Sequence, residues 1–124
     1  MPVEPFRGSS WPTLGVELEM QIVDAETFDL APVGDDVIAT VPPELEESIK
    51  PELYQCCVEI NTGICRDVDE VGRDLAAKLA FVQERAATFG AKIAWGGSHP
   101  FAQWLDQEIS VSPRYHQLID DNQD

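Results

Sequence analysis

Two segments of the chain alternate apolar and polar residues with the period of a β-strand. In residues 13–23 the polar positions between apolar side chains are Gly15, Glu17, Glu19 and Gln21. In residues 52–61 the alternating polar positions are Gln55, Cys57, Glu59 and Asn61. Successive side chains of a strand point to opposite faces, so each segment predicts a strand with one apolar and one polar face.

The longest helical pattern covers residues 68–89. Its start carries a capping box, Asp67 followed three residues later by Glu70, and Gly90 provides a left-handed stop at the other end. Apolar residues recur at spacings of three and four along it, at Val68, Val71, Leu75, Leu79, Val82, Ala86 and Phe89. This spacing predicts an amphipathic helix that buries a single stripe.

The remaining pattern is made of shorter pieces. It predicts a return strand at 28–30, an acidic helix over 44–49, a buried strand at 91–95, a loop or irregular helix over 98–107, and a helix from 113 to 120. This order predicts an α+β fold with helices on one face of a largely antiparallel sheet. At 124 residues the chain amounts to one domain, and four short strands with one covered face predict an incomplete sheet.

The net charge of the chain limits which classes of function are expected. The chain has 23 acidic and 8 basic residues, for a formal net charge of −15. Such a field repels nucleic acids and anionic membranes and attracts cations. No apolar run approaches the roughly 20 residues that span a bilayer, and the amino terminus lacks the features of a signal peptide, so a cytoplasmic location is predicted.

The cysteines fit a reducing compartment. Cys56, Cys57 and Cys65 are odd in number and form no CxxC motif, so we expect free thiols. Cys56 and Cys57 are adjacent, and neighbours in a strand point to opposite faces, so neither a shared disulfide nor a shared metal is expected of them.

The acidic strand faces admit two interpretations. Glu17 and Glu19 lie roughly 6–7 Å apart on one face of a strand, and Glu59 lies on the polar face of the other. If both strands pack their apolar faces against the long helix, the three carboxylates line one surface whose oxygens suit Mg²⁺ or Mn²⁺. Alternatively, the strands are not neighbours and each face is simply solvated.

Two loops carry further candidate residues. His99 follows Gly96 and Gly97 at a strand end, a position suited to a site, although a histidine beside a proline is often a turn residue. Arg66 lies where the second strand meets the long helix, where backbone N–H groups can bind an anion. In the structural interpretation of that junction, Asp67 only caps the helix.

Three blocks of sequence together resemble one known family. They are TLGVELEMQIVD, VEINTGICRD, and GGSHPFAQWLDQEIS followed by PRYHQL, and they cover residues 13–118. In this order they are similar to the glutamate–cysteine ligase type 2 family, ATP-dependent carboxylate-amine ligases related in fold to glutamine synthetase.

The resemblance implies a fold and a reaction. The fold would be a glutamine synthetase-like curved antiparallel sheet whose acidic face holds divalent cations, Mg²⁺ or Mn²⁺, and the phosphates of ATP. The reaction would activate a carboxylate, of glutamate or a similar amino acid, as an acyl phosphate that an amine such as cysteine then attacks.

The resemblance also assigns residues. Glu17, Glu19 and Glu59 would be the catalytic, metal-binding acids. Residues near the substrate pocket would be Gln55, Thr62, Arg66 and His99. Gln55 departs from the pattern, because some relatives carry a glutamate there, and this puts one metal contact or the choice of amino acid in doubt.

Family members are longer than this chain. Residues 1–124 are therefore expected to be the amino-terminal part of a catalytic domain, inactive alone and associating with a missing carboxy-terminal half or as a homo-oligomer. Two alternatives stay open: a catalytically inactive binding or assembly module that retains the acidic sheet, and a divalent-cation site without catalysis.

Overall fold

The computed structural model describes residues 4–122, which form a four-stranded antiparallel sheet and three α-helices. The strands are β1 (Glu17–Asp24), β2 (Ile49–Pro51), β3 (Cys57–Asn61) and β4 (Ala91–Ala94), in the order β2-β3-β1-β4. The helices are α1 (Gly34–Ile38), α2 (Val68–Thr88) and α3 (Pro113–Asp120), with short 3₁₀ turns at Pro43–Leu45 and Trp104–Asp106. The α+β class is confirmed, whereas the glutamine synthetase-like curvature stays a prediction.

One apolar core joins the sheet to the first two helices. Its buried members include Met20 and Ile22 of β1, Val37 of α1, Val58 of β3 and Val82 of α2. These positions follow the period of two in the strands and the predicted stripe of α2. By contrast, α3 has no buried residue.

Helix α2 begins at the predicted cap, Asp67, but only half of the capping box forms, because the Glu70 carboxylate accepts from the Arg66 N–H instead of the Asp67 N–H. The Asp67 carboxylate accepts a hydrogen bond from the Glu70 backbone N–H at 2.8 Å, and Gly90 has a positive φ of 70° just beyond the helix end. Lys78 is buried between the predicted apolar positions, and its Nζ donates to the Asn61 carbonyl at 2.7 Å and to Asp74 at 2.9 Å. The bond to Asn61 joins α2 to the end of β3.

Several predicted boundaries are wrong. The segment 44–49 has only the 3₁₀ turn at Pro43–Leu45, and Ile49 instead opens β2. Helix α1 lies where the sequence is weakly patterned. Strand β1 starts at Glu17, and before it Leu14 forms an isolated bridge with Cys65. The predicted return strand at 28–30 is reduced to one bridge, Leu30 to Val23.

A turn at residues 54–57 interrupts the second predicted strand. The Cys57 N–H donates to the Tyr54 carbonyl at 3.0 Å, so β3 begins only at Cys57. The Gly34 N–H donates to the Gln55 carbonyl at 2.6 Å, and a Cβ on Gly34 would lie 2.5 Å from that oxygen. The turn therefore depends on close backbone contact with the start of α1.

Within residues 4–122, no helix combines the length and the apolarity that crossing a membrane requires.

Candidate metal centre

The polar faces of β1 and β3 form one continuous surface. The two strands are antiparallel neighbours in a register that sets Glu19 opposite Glu59 and Glu17 opposite Asn61. Directly opposed residues of an antiparallel pair project to the same side of the sheet. The alternative in which the two strands are not neighbours is therefore wrong.

A third carboxylate, which the sequence pattern did not identify, joins this surface. Carboxylate oxygens of Glu19, Glu52 and Glu59 all lie within 4.8 Å of one another, and we call these three residues the acidic cluster. Glu17 is exposed and lies outside it. In an uninterrupted strand from 52 to 61, Glu52 would share the apolar face with Val58, but the turn at 54–57 breaks that alternation.

The carboxy-terminal segment holds Glu52 in place. The buried Ser110 hydroxyl donates to the Glu52 carbonyl, and the Ser110 N–H donates to the Leu53 carbonyl at 3.0 Å. The Tyr115 hydroxyl of α3 donates to the Pro51 carbonyl at 2.9 Å. The residue that completes the acidic cluster thus depends on contacts more than fifty positions along the chain.

The acidic cluster favours a proton or a cation. Burial, a hydrogen bond with Glu59 and the charges of Glu19 and Glu59 raise the pKa of Glu52 above its usual value. Burial and the charge of Glu52 likewise raise the pKa of the Tyr115 phenol. Neighbouring carboxylates that disfavour each other's ionisation are stabilised when a positive charge is bound between them.

Asn61 adds a further oxygen beside the acidic cluster. Its amide Nδ2 donates to Glu59 Oε1 at 2.7 Å, and its buried Oδ1 has no hydrogen-bond partner in the part of the chain that the structure describes. Lys50 of β2 lies opposite Glu59 on the other side of β3 and brings a positive charge to the same face. Carboxylate oxygens with an unpaired amide oxygen are a donor set that fits Mg²⁺ or Mn²⁺.

A cleft of about 550 Å³ opens beside the acidic cluster. It is lined by Leu18, Glu19, Met20, Gln21, Glu52, Leu53, Tyr54, Cys57, Trp95, Gly96 and Gly97. Gly96 and Gly97 follow β4, so the glycine pair that the sequence singled out does line the candidate site. A small molecule in this cleft would be next to two acids of the cluster, Glu19 and Glu52.

The four predicted substrate residues do not line that cleft. The Gln55 amide donates to the Ile109 carbonyl at 3.1 Å, and Thr62 Oγ1 accepts from the Val16 N–H at 3.0 Å. Arg66 is exposed and forms an ion pair with Glu70 at 2.8 Å.

His99 holds a turn. Its Nδ1 accepts from the Ala102 N–H at 3.1 Å, which leaves Nε2 to donate to the Phe28 carbonyl at 2.8 Å. All four predicted residues therefore have local structural roles here, and their substrate roles stay predictions.

Comparison with known proteins gives one consistent family. The profile of the family described as "Glutamate-cysteine ligase family 2 (GCS2)" matches residues 13–124. A protein of Gloeobacter violaceus named "Putative glutamate--cysteine ligase 2" is 42% identical over 118 residues, which are 94% of this chain and 32% of that protein. Proteins of Rubrobacter xylanophilus ("Putative glutamate--cysteine ligase 2-1") and Ralstonia pickettii ("Putative glutamate--cysteine ligase 2") are each 40% identical over 121 residues.

The matched relatives are much longer than the matched region. The chain spans about a third of the length of each, at 32% for all three, while 94 to 98% of this chain is aligned. The family profile covers both strands of the polar face and the residues of the acidic cluster. The chain belongs to glutamate-cysteine ligase family 2.

Proposed function

We propose that the chain provides the cation-binding part of an ATP-dependent carboxylate-amine ligase of the glutamate–cysteine type. The observation that carries the proposal is the acidic cluster, three carboxylates within 4.8 Å of one another beside a cleft of about 550 Å³. Membership in the family and the names of the relatives support a ligase of this kind.

The residues of the polar face would have distinct roles. Glu19, Glu52 and Glu59 would hold Mg²⁺ or Mn²⁺, with Glu17 as a further ligand along β1 and Asn61 orienting Glu59 through its hydrogen bond. When bound, the cation would neutralise charge on the phosphate that is transferred from ATP. Binding of the cation would favour the ionised form of Glu52, since a proton and a cation compete for the same oxygens.

The cleft has a size suited to the proposed substrates. Sites for small molecules usually occupy about 300–1,000 Å³, and this cleft lies within that range. Gly96 and Gly97 carry no side chains, so a phosphate or an amino acid can approach their backbone N–H groups. We propose glutamate or a similar amino acid as the carboxylate that becomes an acyl phosphate, and an amine such as cysteine as its acceptor.

The test uses the full-length product of the gene that encodes this chain. Incubation with ATP, Mg²⁺, glutamate and cysteine should release ADP, and omission of either amino acid should stop the release. Glu59→Gln should lower the rate by about tenfold or more, because it removes one ligand of the cation. Glu44→Gln, at an exposed acid outside the cluster, should leave the rate unchanged. A folded product that releases no ADP with any amino acid and amine pair would contradict the ligase assignment.

A second candidate function is an assembly module that retains the sheet without catalysis. Large exposed apolar side chains favour it, since Ile64, Trp104 and Leu105 are 85%, 71% and 75% exposed and are suited to contact with another polypeptide. Calorimetric titration with Mg²⁺-ATP discriminates between the two functions. Part of a ligase should bind Mg²⁺-ATP, and Glu19→Gln should abolish that binding. An assembly module should bind neither nucleotide nor metal.

A further inference from the structure

The adjacent thiols of Cys56 and Cys57 are in contact. Their Sγ atoms lie 3.9 Å apart, and the prediction that they point to opposite faces is wrong because Cys56 belongs to the turn at 54–57 and only Cys57 to β3. Cys56 is 3% exposed, whereas Cys57 is half-buried and lines the cleft. The ligase mechanism uses neither thiol.

We propose that Cys56 and Cys57 form a reversible vicinal disulfide by exchange with a low-molecular-weight disulfide that enters the cleft. In the first step the Cys57 sulfur attacks one sulfur of the small disulfide, forms a mixed disulfide and releases one thiol. In the second step the Cys56 sulfur attacks the Cys57 sulfur, forms the Cys56–Cys57 bond and releases the second thiol. The two protons of the cysteines end on the two released thiols, so two cysteines are oxidised and one small disulfide is reduced.

The difference in burial between the two thiols sets which of them a solute reaches first. A solute in the cleft reaches Cys57, while Cys56 is enclosed by the protein and can react only with a group already attached to its neighbour. With the two sulfurs 3.9 Å apart, the second step needs only local rearrangement of the turn. Cys65 is buried elsewhere, and its Sγ lies 3.5 Å from the Gly63 carbonyl.

Adjacency makes such a bond easy to reduce. Consecutive Cα atoms are about 3.8 Å apart, below the roughly 4.4–6.8 Å that relaxed disulfides span. Strained disulfides belong to the labile and regulatory class rather than to the structural class. The bond would therefore open again when the surrounding thiol pool is reduced.

Closing the bond would alter the wall of the cleft. Cys57 pairs with Gln21 across the sheet, and the Cys56 carbonyl accepts from the Ile22 N–H at 2.7 Å. Bringing the two sulfurs together pulls the first residue of β3 toward the turn, beside Glu19. The inference concerns this thiol pair alone and does not depend on ligase activity.

The experiment treats the purified protein with oxidised glutathione, quenches exchange with acid and cleaves after glutamate. Cleavage after Glu52 and Glu59 yields a peptide of residues 53–59, in which Cys56 and Cys57 are the only cysteines. We expect this peptide to be lighter by two hydrogen atoms and to regain them with dithiothreitol. A peptide that keeps both thiols, or one that retains bound glutathione, would overturn the proposal.

Serine variants test the order of the steps. Cys56→Ser should keep one glutathione on Cys57, because no second thiol displaces it, and Cys57→Ser should leave Cys56 unmodified. Cys65→Ser should still form the bond. Modification of Cys56 in Cys57→Ser at the wild-type rate would overturn the order of the steps, and loss of the bond in Cys65→Ser would overturn the pairing. The wild-type mass measurement decides the proposal even where a variant folds poorly.

Discussion

At the scale of single residues, Glu52 lies where its negative charge is disfavoured. Burial, the hydrogen bond with Glu59 and the charges of Glu19 and Glu59 raise its pKa in the folded chain above the usual value near 4.5. At a pH below the usual pKa value, Glu52 is protonated in both the folded and the unfolded chain. As the pH rises through the raised pKa, ionisation in the folded chain lowers the free energy of unfolding.

Glu52→Gln should therefore stabilise the cation-free protein at pH 7. The gain should be about 1 kcal/mol or less, because the carboxylate is partly solvated, and it should vanish near pH 4. Urea unfolding in the presence of a chelator, at both pH values, measures it. Glu44→Gln, at an exposed acid, is the control. A Glu52→Gln variant less stable than wild type at pH 7 would contradict this account of the acidic cluster.

At the scale of elements, the turn at residues 54–57 determines where Glu52 lies. It depends on Gly34, whose N–H binds the Gln55 carbonyl at 2.6 Å, and a Cβ there would lie 2.5 Å from that oxygen. A methyl group at this position has no room unless the turn moves.

Gly34→Ala should lower the free energy of unfolding by about 1–3 kcal/mol, because the added Cβ overlaps a backbone oxygen. Gly15→Ala is the matched control, since a Cβ on Gly15 meets nothing within 4 Å. Urea unfolding of both variants gives the comparison. Equal stability of the two variants would show that the turn does not need close contact with α1.

Elements with a long local pattern could be predicted from the sequence. Strand β1 and helix α2 each show a regular alternation or stripe, and the capping box marked the start of α2. The three residues of β2 and the five of α1 are too short to carry a period. Their formation depends on packing against neighbours that are distant in the sequence.

Some residues of the candidate site could likewise be predicted from the sequence, and others could not. Glu19 and Glu59 could be predicted because alternation fixes the face of a residue within a strand. Glu52 and the contact between Cys56 and Cys57 could not, because the turn reverses the expected faces and is held by Gly34. Sequence spacing alone does not show that contact.

At the scale of the whole molecule, the net charge of −15 opposes compaction and favours bound cations. The acidic cluster concentrates this effect at one cleft on the polar face of the sheet. The chain spans about a third of the length of the relatives that it matches, at 32% of the first three, and the ligase reaction stays a proposal. The part that we propose for this chain is the cation site.

Titration with Mn²⁺ at constant ionic strength tests for this cation site. Binding is measured as the loss of the electron paramagnetic resonance signal of free Mn²⁺. We expect Glu19→Gln, Glu52→Gln and Glu59→Gln each to weaken Mn²⁺ binding by about tenfold or more, because each would remove a proposed ligand. Glu17→Gln shows whether that residue is a further ligand, and Glu44→Gln should bind as wild type does. Wild-type affinity in all three variants would show that the acidic cluster does not bind the cation.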